Sequence, residues 1–471
     1  MGLDFIEQGV AADQHDGSLG IILAELERID FLIQLQVWRA RNLNLLDENF
    51  QGLYIAEEEI DALLGEPAGL PRWAGAPLPL SDEEVAAALQ RIDAGIARRS
   101  EELAALGAST RLDRLCADFG LDRFERDALL ICLAPEIDLR YERFFGYLQD
   151  DITKRRPSVD LVLNLLCPTF EAKLRAPRHF ASHAPLLVHR LLHLFDDPSQ
   201  PHPPLLSRYL KGDARVVDYL FDDDEIDVSL APYAQVSTTQ VHMEDLLLPA
   251  DVKRRLTRLA TEMHDNGSGL VFYFHGPYGV GKETTAAALC REAGLGLLVV
   301  DGEKLLNAEE LAFDTAVTLI QREALLQGAV LYWQGYDALL SEERRAWRDL
   351  LLRALEARPR LAILAGDTLW EPADVLHDLP FLRVEFPRPA YRERRQFWPL
   401  SLNGDMPVES DVDLGALASK FRFTAGQIQD AAATARNLAR WRDPEQSRVT
   451  TEDLYAASRL WLDAIIDPRD T

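Results

Sequence analysis

GPYGVGKETT occupies Gly276–Thr285. Its GxxxxGK spacing is that of a phosphate-binding loop. It stands between an apolar run of strand length, LVFYFH (270–275), and a helix-favouring stretch, ETTAAALCREA (283–293), which is the setting such a loop requires. Glycines let backbone amides turn inward onto phosphate oxygens. A helix beginning near Gly281 points the positive end of its dipole at them, and Lys282 reaches the outer phosphates. The candidate binding set is therefore Gly276, Pro277, Tyr278, Gly279, Val280, Gly281, Lys282, Glu283 and Thr284. The expected ligand is a nucleotide, held by its phosphates. Glu283 stands where such loops carry a hydroxyl for Mg2+. A carboxylate is also an oxygen ligand for that ion, but it adds negative charge beside the phosphates. Thr284 is no simple replacement, because one step along a helix turns the side chain by about 100°. No residue is assigned as a catalytic group or as a metal ligand.

Outward from the loop, strands and helices alternate. LGLLVVD, AVLYWQ, RLAILAGD and LRVEF have strand character, and AEELAFDTAVTLIQREALLQ and ERRAWRDLLLRALEAR separate them as helices. That order predicts an α/β fold with a five-stranded parallel sheet covered on both faces. The core is expected over 243–388, and an all-helical region over 389–471.

The N-terminal half is mainly helical. Residues 19–46 carry apolar positions at helical spacing, within an N-terminal helical region expected over 1–75. GEPAGLPRWAGAPLPL (65–80) reads as a linker. SDEE at Ser81 is a capping-box start, and Asp122 is a second cap. Helix, turn, helix, short ribbon and helix over 80–195 is the order of a winged-helix module. A connector with one helix between Leu205 and Phe221 is expected over 196–242.

A formal net charge of −27 opposes a large nucleic-acid footprint and an anionic membrane surface alike. It suits a protein that docks on other proteins. Cys116, Cys132, Cys167 and Cys290 form no CxxC pair and predict buried thiols in a reducing compartment. MGLDFIEQGVAADQHDG lacks a basic region followed by an apolar run, and no stretch approaches 18 apolar residues. A cytoplasmic location is expected.

From about 243 to 471 the chain resembles AAA+ ATPases. Residues 119–166, FGLDRFERDALLICLAPEIDLRYERFFGYLQDDITKRRPSVDLVLNLL, closely resemble the variant winged-helix domain that precedes AAA+ modules in large ATPases encoded with bacterial contractile injection systems. The resemblance implies a P-loop AAA+ αβα core, a helical lid and a preceding winged-helix-like region, with neighbouring AAA+ subunits as protein partners. The chain looks like the front, degenerate module of that architecture. In VLYWQGYDAL (330–339), Gln334 and Gly335 stand at the family's two acidic positions, and neither is a general base. Asp337 reads as a cap for the next helix. Asp367 or Thr368 falls where a polar residue touches the outer phosphate. Arg383 is the arginine closest to the fifth strand, and Gly426 and Gln427 occupy a lid position where many relatives carry arginine. The implied function is a hydrolysis-impaired, nucleotide-binding scaffold module of a larger AAA+ assembly, with ATP or ADP held by Lys282 and the Gly276–Gly281 amides. The alternatives are an active ATPase that remodels proteins and a winged-helix DNA-binding regulator.

Three further groups have plainer readings. His179, His183, His189, His193 and His202 fit helix histidines better than a zinc site. Lys154, Arg155 and Arg156 fit a solvated turn. Trp333 fits the core, and Tyr336 is suited to fill space that the acids would have used.

Overall fold

The computed structural model describes residues 17–42, 69, 71, 76–107, 109–197, 201–239, 241–246, 248–372, 376–403, 406–444 and 447–466. Most of the expected 1–75 region and much of the 65–80 linker lie outside these residues. The chain divides into two compact units, Met1–Glu225 and Ile226–Thr471.

In the first unit, the helix Ser18–Asn42 buries Ile22, Leu26, Ile29 and Leu35 as its periodicity predicts. Glu25 is buried among them, 1% exposed. Arg123 and Arg126 lie 2.9 and 2.6 Å from its carboxylate. Arg28 on the same helix reaches Asp127 at 2.6 Å. These ion pairs fix the first helix against Arg123–Ile137. The predicted capping box forms at Ser81 with Glu84, and the predicted cap Asp122 forms a capping box as well, with Glu125.

Two short strands, β1 (Leu192–Phe195) and β2 (Tyr209–Gly212), pair antiparallel with Leu192 opposite Gly212. The segment 205–221 is therefore not one helix. It is a 3-10 turn, β2, and the helix Ala214–Leu220. Asp213 caps that helix by accepting from the N–H of Arg215 at 3.0 Å, so the helix starts only there. The basic turn is spent locally. Arg155 lies 3.9 Å from Glu142, and the Arg156 guanidinium sits over the Phe195 ring. His179 stacks on Phe124 and faces Asp122 and Glu125 at 3.7 and 3.5 Å.

The second unit is built on a six-stranded sheet. Its strands are β3 (Ala234–Val236), β4 (Leu270–His275), β5 (Gly296–Asp301), β6 (Ala329–Gln334), β7 (Leu361–Gly366) and β8 (Phe381–Glu385). The order is β3-β5-β6-β7-β4-β8. The five strands from β4 onward run parallel, as expected. β3, inside the stretch read as connector, adds an antiparallel edge beside β5. Both faces are buried, which is why these strands read as continuous apolar runs. Val271, Tyr273, Leu331 and Trp333 face the helices Phe313–Leu326 and Arg345–Ala357. Phe272, Phe274, Val330 and Tyr332 face Lys282–Glu292 and Ala250–Asp265.

Beyond the sheet, the helices Tyr391–Leu402, Leu414–Lys420, Ala425–Arg442 and Thr451–Ile466 enclose their own core around Trp398, Phe421 and Ile428.

Candidate nucleotide-binding site

The site begins where β4 ends. Gly276 is buried with φ +154, and a Cβ there would fall 2.2 Å from the Phe386 carbonyl oxygen. Gly279 and Gly281 have φ +75 and +92, a backbone that L side chains rarely adopt. Gly281 caps the helix Lys282–Glu292, whose first intrahelical donor is the N–H of Thr285, 2.9 Å from the Gly281 oxygen. The amides of Lys282, Glu283 and Thr284 therefore have no acceptor inside the helix. A turn of glycines followed by orphan amides is a concave anion cradle.

The nine predicted residues divide around a cleft. Tyr278, Gly279, Gly281, Lys282, Glu283 and Thr284 line a half of about 820 Å³. Val280, with Gly281 and Thr284 again, lines an adjoining half of about 1200 Å³ whose walls include Leu246, Leu248, Phe397 and Pro399. Gly276 and Pro277 shape the loop rather than the wall. The first half is charged and fits phosphates. The second is mostly apolar, with Arg392 and Arg395 at its edge, and fits a nucleoside. The residues present thus fit a nucleotide in both halves.

Lys282 is the cation of the charged half. Its ammonium donates to Asp367 Oδ1 at 2.6 Å, to the Gly366 carbonyl at 3.1 Å and to the Gly276 carbonyl. Asp337 does not cap a helix. Its carboxylate accepts from the N–H groups of Asp367 and Thr368 at 2.6 and 2.7 Å, and Gly335 takes the cap position instead. The end of β7 offers two exposed amides, which a carboxylate satisfies more fully than one turn of 3-10 helix would. Glu283 is half-buried, and that burial raises its pKa above the ordinary carboxylate value. Among the described residues, no three acids or histidines of this cleft lie close enough to hold an ion by themselves. Magnesium here would need phosphate oxygens to complete its shell.

At the end of β6, Gln334 and Gly335 line the charged half. Tyr336 turns away from it. It is 0% exposed and packs on Trp370 and Tyr273 with ring centroids 4.9 and 5.9 Å apart. It fills the layer behind the sheet, not space in the cleft. Arg383 lies on β8 and pairs with Glu371 at 2.8 Å.

The helical region meets the loop directly. The Gly426 N–H donates to the Gly279 carbonyl at 2.8 Å, and Tyr278 Oη donates to Asp430 at 3.3 Å. A Cβ on Gly426 would lie 2.7 Å from Gly279 Cα, so arginine does not fit there in this arrangement. Gln427 is turned back into a capping box with Thr424. Thr424-x-x-Gln427 was legible as a capping signature. Its contact with the loop was not.

A family model for a variant winged-helix domain matches residues 17–234, and one for the helical domain of contractile injection system ATPases matches residues 390–462. Between those matches stands the mostly parallel sheet, with the phosphate loop after β4, which lies between β7 and the edge strand β8. In the two matched regions the chain is similar to the variant winged-helix domain and to the helical domain of contractile injection system ATPases. Among solved structures, a katanin from work on its self-assembly overlaps 51% of this chain and 93% of its own, at 18% identity and TM-score 0.41. The FIGL-1 AAA domain overlaps 51% and 94%, at 16% identity and TM-score 0.38. The same domain in complex with ADP overlaps 51% and 95%, at 17% identity and TM-score 0.40. A comparison with curated proteins gives no match. The αβα core carries the charged half of the cleft, and the helical domain closes the apolar half. No helix among the described residues is long and apolar enough to cross a membrane.

Proposed function

We propose that this AAA+ module binds an adenine nucleotide on Gly276–Thr284 with little or no hydrolysis, and serves as a scaffold within a larger, cytoplasmic ATPase assembly. The observation that carries this reading is the end of β6. Gln334 and Gly335 face the charged half of the cleft where the family places its acids. Positioned acid–base groups contribute about 10²–10⁴ in rate, and charge stabilisers of phosphoryl transfer about 10³ or more. With those groups absent, chemistry is slow, whereas binding needs only the loop amides and a nucleoside wall.

Nucleotide held between core and helical domain would set their angle. The hydrogen bonds from Gly426 and Tyr278 supply the link. Neighbouring AAA+ subunits are the proposed protein partners, in keeping with the helical domain match. The free thiols of Cys116, Cys132, Cys167 and Cys290 suit a reducing compartment.

The test pairs binding with turnover. Calorimetric titration with ADP should show binding that Lys282→Ala abolishes. Phosphate release from ATP should stay at the level of that variant. Lysine-dependent turnover near about 1 s⁻¹, the low end of ordinary enzymes, overturns the scaffold reading.

A further inference from the structure

We infer that Asp367 acts as an internal substitute for a terminal phosphate, so that the cleft selects a nucleoside diphosphate over a triphosphate. This rests on the nucleotide reading above and specifies its ligand.

The geometry starts in the sheet. β4 and β7 are parallel neighbours with His275 opposite Gly366. The phosphate loop and the segment after β7 therefore leave the sheet side by side, and the Gly276 N–H donates to the Gly366 carbonyl at 3.1 Å. Only glycine fits at 366, where a Cβ would fall 2.4 Å from Tyr273 Oη and 2.9 Å from Asp337 Oδ2. Asp337 then holds the backbone of Asp367 and Thr368 through both its oxygens. The Asp367 carboxylate is thereby aimed at Lys282.

An ammonium group has three N–H donors. On Lys282 they meet Asp367, the Gly366 carbonyl and the Gly276 carbonyl, and the side chain is only 12% exposed. Two phosphates resting on the loop amides share Lys282 with Asp367. A third phosphate must displace that carboxylate or lie beside it. Size does not exclude it, since the charged half measures about 820 Å³. Charge does. Glu283, Glu303, Asp337 and Asp367 line this half with Lys282 as the cation among the described lining residues. Asp301, also in the wall, is offset by Lys304 at 3.0 Å.

The experiment is calorimetric titration of the full chain with ADP and with ATP, both in EDTA. ADP should bind tighter by at least about tenfold. The gap should narrow as salt is raised from roughly 50 to 500 mM, because the discrimination is electrostatic. Asp367→Asn should bring the two affinities within about threefold, chiefly by improving ATP. Thermal melting checks that this variant is folded, and the salt series needs no variant. ATP binding as tightly as ADP, a salt-independent gap, or an unchanged gap in folded Asp367→Asn each overturns the selectivity while leaving the nucleotide site standing. Failure of both nucleotides to bind the native chain overturns the nucleotide reading and the selectivity together.

Discussion

Replacing Gly335 by glutamate would place a carboxylate where the resemblance to AAA+ ATPases expects an acid, and the structure predicts that the attempt fails. Gly335 has φ +68. A non-glycine residue in that left-handed region costs roughly 1–2 kcal/mol. Its added Cβ would lie 3.0 Å from Glu303 Cγ and 3.4 Å from Glu303 Oε1. Glu303 is exposed and can swing aside, so the steric part is small. Two carboxylates about 4 Å apart in water-like surroundings still repel by about 1 kcal/mol. Gly335→Glu should therefore destabilise the second unit by about 2–3 kcal/mol, and Gly335→Ala by the backbone share of about 1–2 kcal/mol. Adding Glu303→Gln to Gly335→Glu should recover about 1 kcal/mol as a coupling energy. Denaturant unfolding followed by tryptophan fluorescence reads these three variants and Glu303→Gln alone, which closes the cycle. Phosphate release should stay at background even with Gln334→Asp added, because Asp367 still holds Lys282. An alanine variant as stable as the native chain would refute the backbone reasoning. Lysine-dependent turnover in the doubly restored variant would refute the claim that this site is rebuilt rather than missing two side chains.

Two other outcomes follow from buried charge. Glu25 is 1% exposed between Arg123 and Arg126. Glu25→Ala removes one of the two carboxylates paired with Arg126, the other being Asp113 at 2.7 Å, and should destabilise the first unit by about 2 kcal/mol, below the cost of a buried charge left with no partner; a change under about 1 kcal/mol in denaturant unfolding would refute this. The folded pKa of Glu283 is raised by burial, so in the window between its ordinary and raised values the folded state binds more protons than the unfolded one. Its contribution to stability should improve as pH falls through the raised pKa, and Glu283→Gln should be more stable than the native chain at neutral pH and flatten that slope; melting curves across pH 4 to 8, the range that brackets roughly such a carboxylate, would sink this if the variant were less stable or equally pH-dependent.

Much of the second unit was legible in the chain. Parallel strands buried on both faces must be apolar throughout, so LVFYFH, AVLYWQ and RLAILAG announce themselves. The three-residue β3 did not, because Ala234–Val236 is too short to carry a period. The caps at Ser81 and Asp122 were legible because a cap is a local bond between residues three apart. The strand β2 inside a supposed helix was not, because its partner β1 lies 14 residues or more away in the chain.

For the site, the glycine spacing of the loop and the residue types at 334 and 335 were legible in the sequence by itself. Glycine positions and the absence of a carboxylate at 334 and 335 are properties of residue type and local spacing. Only the tertiary structure decided what Lys282 holds. Asp367 lies 85 positions away, and Asp337, which fixes it, belongs to the segment after β6. The same is true of Gly426 against Gly279, a contact between two residues without side chains. Which distant groups meet is set by the strand order β6-β7-β4, and a one-dimensional pattern of residue types does not carry that order.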